Sequence, residues 1–252
     1  MKIFATYNIK GGVGKTATAV NLAYLAARDG YRVLLWDLDP QGAASFLFRV
    51  KPRVKGGGKA LIQGRRPLDG AIKGTDFDNL DLLPADFTYR NLDLLLDEAK
   101  RPERRLASLL APLKSDYDLV VLDCPPSISL LSESVLHAAD LLLVPLIPTT
   151  LSVRTLDQLT DFVGEFNGHR PGVLAFFSMI DRRKRLHTQI AQDLPAQRSD
   201  FATSAIPALS VVEQMSVRRA PVAVFAPRSQ AAVQYASLWR EAREQSGLRA
   251  PR

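Results

Sequence analysis

Cysteine is almost missing from this chain: of 252 residues, only Cys124 carries a thiol. One thiol forms no disulfide within the chain and cannot supply the cysteine cluster of a zinc or iron–sulfur site. A reducing cytoplasm is the expected setting. Long apolar runs are missing too, since none approaches the roughly 20 residues of a membrane-spanning helix. The opening stretch, MKIFATYNIKGG, has too short an apolar part for a signal peptide and runs straight into a glycine loop. Aromatic residues are sparse at 8% within a hydrophobic content of 46%, which is ordinary for a soluble globular chain. The length suits one large domain over 1–252 with a single core. Positive charge is in surplus: 33 Lys and Arg stand against 26 Asp and Glu, a formal net charge of +7. That surplus leans toward a polyanionic partner, nucleic acid or an anionic membrane surface, against the plainer reading of a basic soluble protein.

The apolar pattern alternates between two periods. Short β-rich runs at 2–8, 31–39, 80–85, 117–126, 139–148 and 172–181 read as strands, several of them apolar throughout, as strands buried on both faces are. Segments with helical spacing lie at 16–29, 88–99, 102–113, 129–138, 152–167, 186–194 and 229–245. Gly30 is placed to end the first of these helices. Strand–helix alternation predicts an α/β fold of three layers, a mostly parallel twisted sheet with helices on both faces. Residues 49–75 are glycine-rich and basic, and are expected as a flexible surface loop or a contact arm.

The stretch YNIKGGVGKTATAVNLA sits between the first strand and the first helix. A phosphate loop needs glycines that let backbone amides converge on phosphate oxygens, a lysine for the β/γ charge, and a hydroxyl for magnesium. Gly11, Gly12, Gly14, Lys15 and Thr16 meet those needs, with Val13 and Ala17 completing the loop. The usual first glycine is replaced by Ile9, and a second lysine, Lys10, precedes the glycines. Asp37 and Asp39 stand at the end of one strand and Asp123 at the end of another. In open parallel sheets ligands bind at that edge, where a carboxylate can hold magnesium or orient a water for attack on a γ-phosphate. Each aspartate alone could merely cap the next helix; three of them beside one phosphate loop point to function.

Together KGGVGKT, DLDPQG and LDCPPS resemble the ParA/MinD family of deviant-Walker ATPases, P-loop NTPases of the SIMIBI type. The segments SMIDRRKRLHTQI and RRAPVAVFAPRSQAAVQYASL extend the resemblance over nearly the whole chain and favour its ParA branch. PTTLSVRTLDQL is more like the orphan or cargo-positioning branches, which include carboxysome-positioning ATPases. The resemblance implies a slow ATPase using ATP and Mg2+. In it Lys10 matches the signature lysine that reaches the partner's phosphates in an ATP-sandwich homodimer, and Lys15 the phosphate-loop lysine of its own subunit. Thr16 matches the magnesium ligand, with Asp37 and Asp123 in the magnesium shell, and Asp39 matches the residue that positions the attacking water. The segment 123–127 corresponds to a switch that reports the γ-phosphate. Two departures stand out. Ala17 replaces a common threonine, and Ala208-Leu209 replaces an Arg-Asn pair near the base, so Met179, Pro207 and Ala208 are the expected adenine contacts.

The ParA branch implies non-specific DNA binding on the nucleoid and a cargo-bound adaptor or centromere-binding protein that stimulates hydrolysis. Candidate cations for DNA are Arg182, Arg183, Lys184, Arg185, Arg218 and Arg219, unless these runs are only solvated surface. Few aromatics interleave with them, which favours backbone contact over base stacking. The C-terminal segment WREAREQSGLRAPR, with Trp239 and Leu248 as its large apolar residues, offers too little apolar face for a membrane helix. The competing readings are a metabolic phosphotransferase or ligase on the same fold, a MinD-like membrane-surface ATPase, and a metallocluster carrier. The last would require bridging cysteines that Cys124 alone does not supply.

Overall fold

The computed structural model describes residues 1–54, 56–166 and 169–251. Its first half contains β1 (Lys2–Thr6), α1 (Lys15–Arg28), β2 (Val33–Asp37), α2 (Ala43–Leu47), α3 (Gly57–Ile62), β3 (Lys73–Gly74), β4 (Leu80–Leu83), α4 (Leu92–Asp97), α5 (Arg105–Leu110) and β5 (Leu119–Asp123). There follow α6 (Leu130–Ala138), β6 (Leu141–Leu146), α7 (Thr150–Gly164), β7 (Gly172–Ile180), α8 (Arg185–Gln197) and β8 (Phe201–Pro207). Three short helices, α9 (Ser210–Glu213), α10 (Met215–Arg218) and α11 (Val222–Phe225), lead into the long α12 (Gln230–Ser246).

The strands form one sheet in the order β3-β4-β2-β5-β1-β6-β7-β8. Every pairing is parallel except β3 with β4. Successive residues of each strand face opposite sides, so a strand covered on both faces must be apolar throughout. In β1, Ile3 and Ala5 join the core against α4 to α7, while Phe4 joins the core against α1 and α12. β2 and β5 divide in the same way, with Leu34, Trp36, Val120 and Leu122 on the first side and Val33, Leu35 and Val121 on the second. The strand order reverses around β1: the chain leaves it toward β2 and later returns past it from β5 to β6. Ligand crevices form at such a reversal, beyond the carboxyl ends of the strands.

Several expectations from sequence are changed. The segment 49–75 is not a loose loop along its length. It carries α3 and β3, and Val54, Leu61, Ile62, Leu68 and Ala71 are buried in the core. The carboxylate of Asp86 holds it by accepting from the Val54 amide at 2.8 Å. Residue 55 of that segment, residue 167 of the helix expected over 152–167 and residue 252 of the expected 1–252 domain lie outside the described residues. The helix expected over 102–113 is divided into a 3-10 turn, α5 and a second 3-10 turn that contains Pro112. Proline has no amide to continue an α-helical ladder. The helix expected over 88–99 begins as a 3-10 turn, Phe87–Asn91, where Asp86 accepts from the Thr88 amide at 3.0 Å.

Trp239 is core and not tail. It is 1% exposed, its ring meets Tyr31 edge-on at 5.7 Å, and its Nε1 donates to Asp29 Oδ2 at 2.8 Å. Trp239→Ala should therefore lower unfolding stability by about 3–5 kcal/mol, the usual cost of deleting a buried large aromatic. Trp239→Phe, which loses chiefly one hydrogen bond, should cost about 1–2 kcal/mol. Urea denaturation followed by circular dichroism checks both.

Candidate nucleotide site

The loop after β1 is built by glycines at special backbone angles. Gly12 has φ 70° and Gly14 φ 95°, both in the left-handed region, and α1 starts directly after Gly14. Gly14 is also crowded, because a Cβ there would lie 2.8 Å from Ser178 Oγ on β7. The loop thus leans against the end of β7 through the one residue that leaves room. On its entry side, the Lys10 amide donates to Asn8 Oδ1 at 2.9 Å, and Asn8 Nδ2 donates to the Pro145 carbonyl of β6 at 2.8 Å.

The two lysines occupy different surroundings. Lys15 is buried and its ammonium donates to the Lys10 carbonyl at 3.0 Å. Burial lowers its pKa, while the charges of Asp123 and Asp39 act in the opposite direction. The Lys10 side chain is exposed.

Asp37 and Asp123 are direct register partners on β2 and β5, and both are fully buried. Asp37 Oδ2 accepts from Ser45 twice, from its amide at 2.8 Å and its hydroxyl at 2.7 Å. Asp123 Oδ1 accepts from the Thr6 hydroxyl at 3.3 Å. The remaining oxygens, Asp37 Oδ1 and Asp123 Oδ2, are buried with no hydrogen-bond partner. Burial pushes the Asp37 carboxyl up to about 6, opposed by the Ser45 hydrogen bonds and assisted by the nearby charge of Asp39. Burial and then the charge of Asp37 raise Asp123 well above the ordinary carboxylate range, opposed by the neighbouring Thr16 hydroxyl and by Lys15. Two adjacent carboxylates with unpartnered oxygens lack positive charge, and a divalent cation supplies it. The hard oxygen donors of Thr16, Asp37 and Asp123 fit magnesium. Asp39 is half-buried, and its Oδ1 accepts from the Gln41 amide at 2.9 Å.

The expected adenine residues come together. Pro207 pairs with Ile180 across β7 and β8, and the Ala208 amide donates to the Ile180 carbonyl at 2.9 Å. Met179, 41% exposed with φ 57°, adjoins the Ser178 that backs the loop. The expected DNA residues divide. Arg182, Lys184 and Arg185 are exposed after β7, as is Arg218 at the end of α10. Arg183 is committed to Asp181 through two contacts of 2.9 Å. Arg219 is committed to α2: its Nε donates to the Phe46 carbonyl at 2.9 Å and its guanidinium lies 4.6 Å from the Phe46 ring centroid. Cys124 is buried with its thiol pushed well up by burial, so it is no ready nucleophile.

Thr6, Asn8, Ser45 and Ser178 support this site, and sequence pattern does not single them out. Each acts across the sheet or across a turn, where no fixed spacing marks the contact.

Known proteins resemble this chain in sequence and in fold. The family described as AAA domain matches residues 1–173. The chain is 33% identical over 248 residues to the sporulation initiation inhibitor protein Soj of Bacillus subtilis, covering 95% of this chain and 97% of Soj. Cobyrinic acid a,c-diamide synthase from Mycobacterium smegmatis, with bound ADP and magnesium, superimposes with a TM-score of 0.79 at 26% identity, covering 100% of this chain and 98% of that one. A plasmid partition protein from Borrelia burgdorferi B31 bound to AMPPNP superimposes with a TM-score of 0.83 at 23% identity, covering 97% and 98%.

A raised carboxylate pKa stabilises the fold only while the group is protonated. For Asp37, with an unfolded value of about 4, that contribution is complete below about pH 4 and is lost as pH rises through about 6. In EDTA the protein should lose stability between about pH 4 and pH 6, and Asp37→Asn should flatten that slope and gain about 1–2 kcal/mol at neutral pH. Thermal unfolding across a pH series measures both.

Proposed function

The chain belongs to the family of Soj and the chromosome partitioning protein ParA, the ParA-type P-loop partition ATPases. On that premise we propose that it hydrolyses ATP as a nucleotide-sandwich homodimer that holds DNA non-specifically and positions a cargo. The observation that carries this reading is the division between the two lysines. Lys15 is buried over its own loop, while Lys10 projects an exposed side chain from the same loop.

In this reading Lys15 and the amides of residues 11–17 hold the β- and γ-phosphates. Thr16, Asp37 and Asp123 hold Mg2+, which neutralises phosphate charge when bound. Asp39 accepts a hydrogen bond from the water that attacks in line. Its half-buried position beside the Gln41 amide leaves one carboxylate oxygen for that task. The two bound nucleotides of a sandwich bring much negative charge to one interface, and each Lys10 neutralises the partner's ligand, so the dimer forms with ATP and parts after hydrolysis. Met179, Pro207 and Ala208 form the base end of the site. A partner protein on the cargo stimulates turnover, and the ATP-bound dimer sits on the nucleoid in the cytoplasm.

An amide-forming ligase is the second reading, favoured by the 26% identity to the cobyrinic acid a,c-diamide synthase. Such an enzyme has no evident use for Lys10, and the higher identity to Soj extends over 95% of the chain. Membrane attachment through α12 is disfavoured, because Tyr235, Leu238 and Trp239 of that helix are already packed into the core.

Lys10→Ala should keep ATP binding in the monomer and abolish the ATP-dependent dimer. Light scattering with a fluorescent ATP analogue checks this; a variant that still dimerises and turns over at the parent rate refutes the cross-subunit role. For DNA, Arg182→Ala with Arg185→Ala should reduce the salt dependence of duplex binding by roughly two released counterions. Arg183→Ala should change it little, because Asp181 already neutralises that side chain. Anisotropy titrations with ATP and with ADP measure both; equal binding in the two nucleotides removes the nucleoid from the reading.

A further inference from the structure

Beside the loop that carries Asp39 lies a second cleft, of about 470 Å³, between α2 and the end of α10. Phe46, Val50 and Pro52 give it an apolar floor, and Arg49, Lys51 and Arg219 give it a cationic rim. None of its described lining residues is acidic. Phe46 remains 49% exposed although Arg219 lies over its ring. Four non-glycine residues among those described have positive φ, and two of them, Arg49 at 60° and Arg219 at 50°, line this cleft. A side chain with a Cβ is disfavoured at such angles, where glycine would sit without strain.

Intramolecular contacts use these arginines only in part. Arg49 donates to Asp76 at 2.8 Å and to the Arg218 carbonyl at 3.3 Å. Arg219 donates its Nε to the Phe46 carbonyl, and its guanidinium carbon lies over the ring. Lys51 is exposed. We propose that this cleft docks an acidic segment of a partner protein, which sets an apolar side chain on Phe46 and carboxylates against Lys51 and Arg219.

The shape decides between a protein and a nucleic acid. A duplex backbone is convex and presents phosphates, and it has nothing to place on a recessed apolar floor. A peptide supplies both an apolar side chain and flanking carboxylates. Arg219 thereby leaves the set of DNA-binding cations.

The cleft is also wired to the nucleotide site. Gln41 and Gly42, both in its wall, donate their amides to the Asp39 side chain and carbonyl, each at 2.9 Å. Ser45, one residue before Phe46, holds Asp37 Oδ2. An occupant that presses on Phe46 acts on both carboxylates through one turn of α2. The segment would thus belong to the partner that stimulates hydrolysis, a point that rests on the function proposed above.

The test uses the full chain and a fluorescein-labelled peptide, Asp-Glu-Asp-Phe-Asp-Glu, with a control in which serine replaces phenylalanine. Binding is read by anisotropy without nucleotide, so it stands apart from the ATPase reading; hydrolysis is then measured with the peptide at saturation. The expected result is binding that weakens about tenfold in Lys51→Glu and in Arg219→Gly, is unchanged in the surface control Lys114→Glu, and is lost with the serine peptide. Arg219→Gly relieves the backbone, so a failure to fold does not explain its loss; circular dichroism confirms that it is folded. Saturating peptide should change ATP turnover in the parent and not in Arg219→Gly. Equal binding of the two peptides, or binding indifferent to both cleft variants, overturns the site. Loss of duplex DNA binding in these variants without any peptide binding assigns the cleft to DNA and also overturns it. Peptide binding without change in turnover overturns the coupling to Asp39.

Discussion

Two carboxylates side by side inside a protein are the constraint around which this site is arranged. The parallel register of β2 and β5 sets Asp37 against Asp123 with no solvent between them. Burying like charges costs more than either pays back through protein hydrogen bonds. The surroundings answer one oxygen at a time. Ser45 satisfies one oxygen of Asp37, Thr6 one of Asp123, and Lys15 contributes a cation that burial itself discourages. What is left over is one unsatisfied oxygen on each. The fold therefore sets two unpartnered carboxyl oxygens beside a phosphate-binding loop, and magnesium with a nucleotide is the chemistry that fits them.

Much of this was legible in the sequence because it is local. The glycines of the loop, its lysine and hydroxyl, and the aspartates at strand ends are read from adjacent residues. The buried strands are read from unbroken apolar runs. What was not legible depends on distant partners. β8, with its residues FATSAIP, is mixed in polarity, and it becomes a strand by pairing with β7. The 49–75 segment looks like a tether because glycines and cations outnumber its anchors, yet Val54, Leu61 and Ile62 reach the core. Ser45 and Ser178 matter through contacts that no spacing announces. Charge runs mislead in the other direction, since Arg183 and Arg219 read as free cations and are each engaged within the chain.

The same scaffold serves unlike chemistries, as the likeness to both Soj and a cobyrinic acid a,c-diamide synthase shows. The core and the phosphate loop do not separate such proteins. The separating features are peripheral: which cations are left exposed, and what the loop offers outward. Here Lys10 on the loop and Arg182, Lys184 and Arg185 beyond β7 are among the exposed cations, while Tyr235, Leu238 and Trp239 of α12 are packed inside.

The hydrogen bond from Lys15 to the Lys10 carbonyl has a consequence of its own. That ammonium has three N–H donors, and this bond uses one of them. The other two remain for phosphate oxygens, so the backbone orients the cation without consuming it. One side chain thereby ties the carbonyl of the residue that bears the outward lysine to the place where phosphate charge would gather.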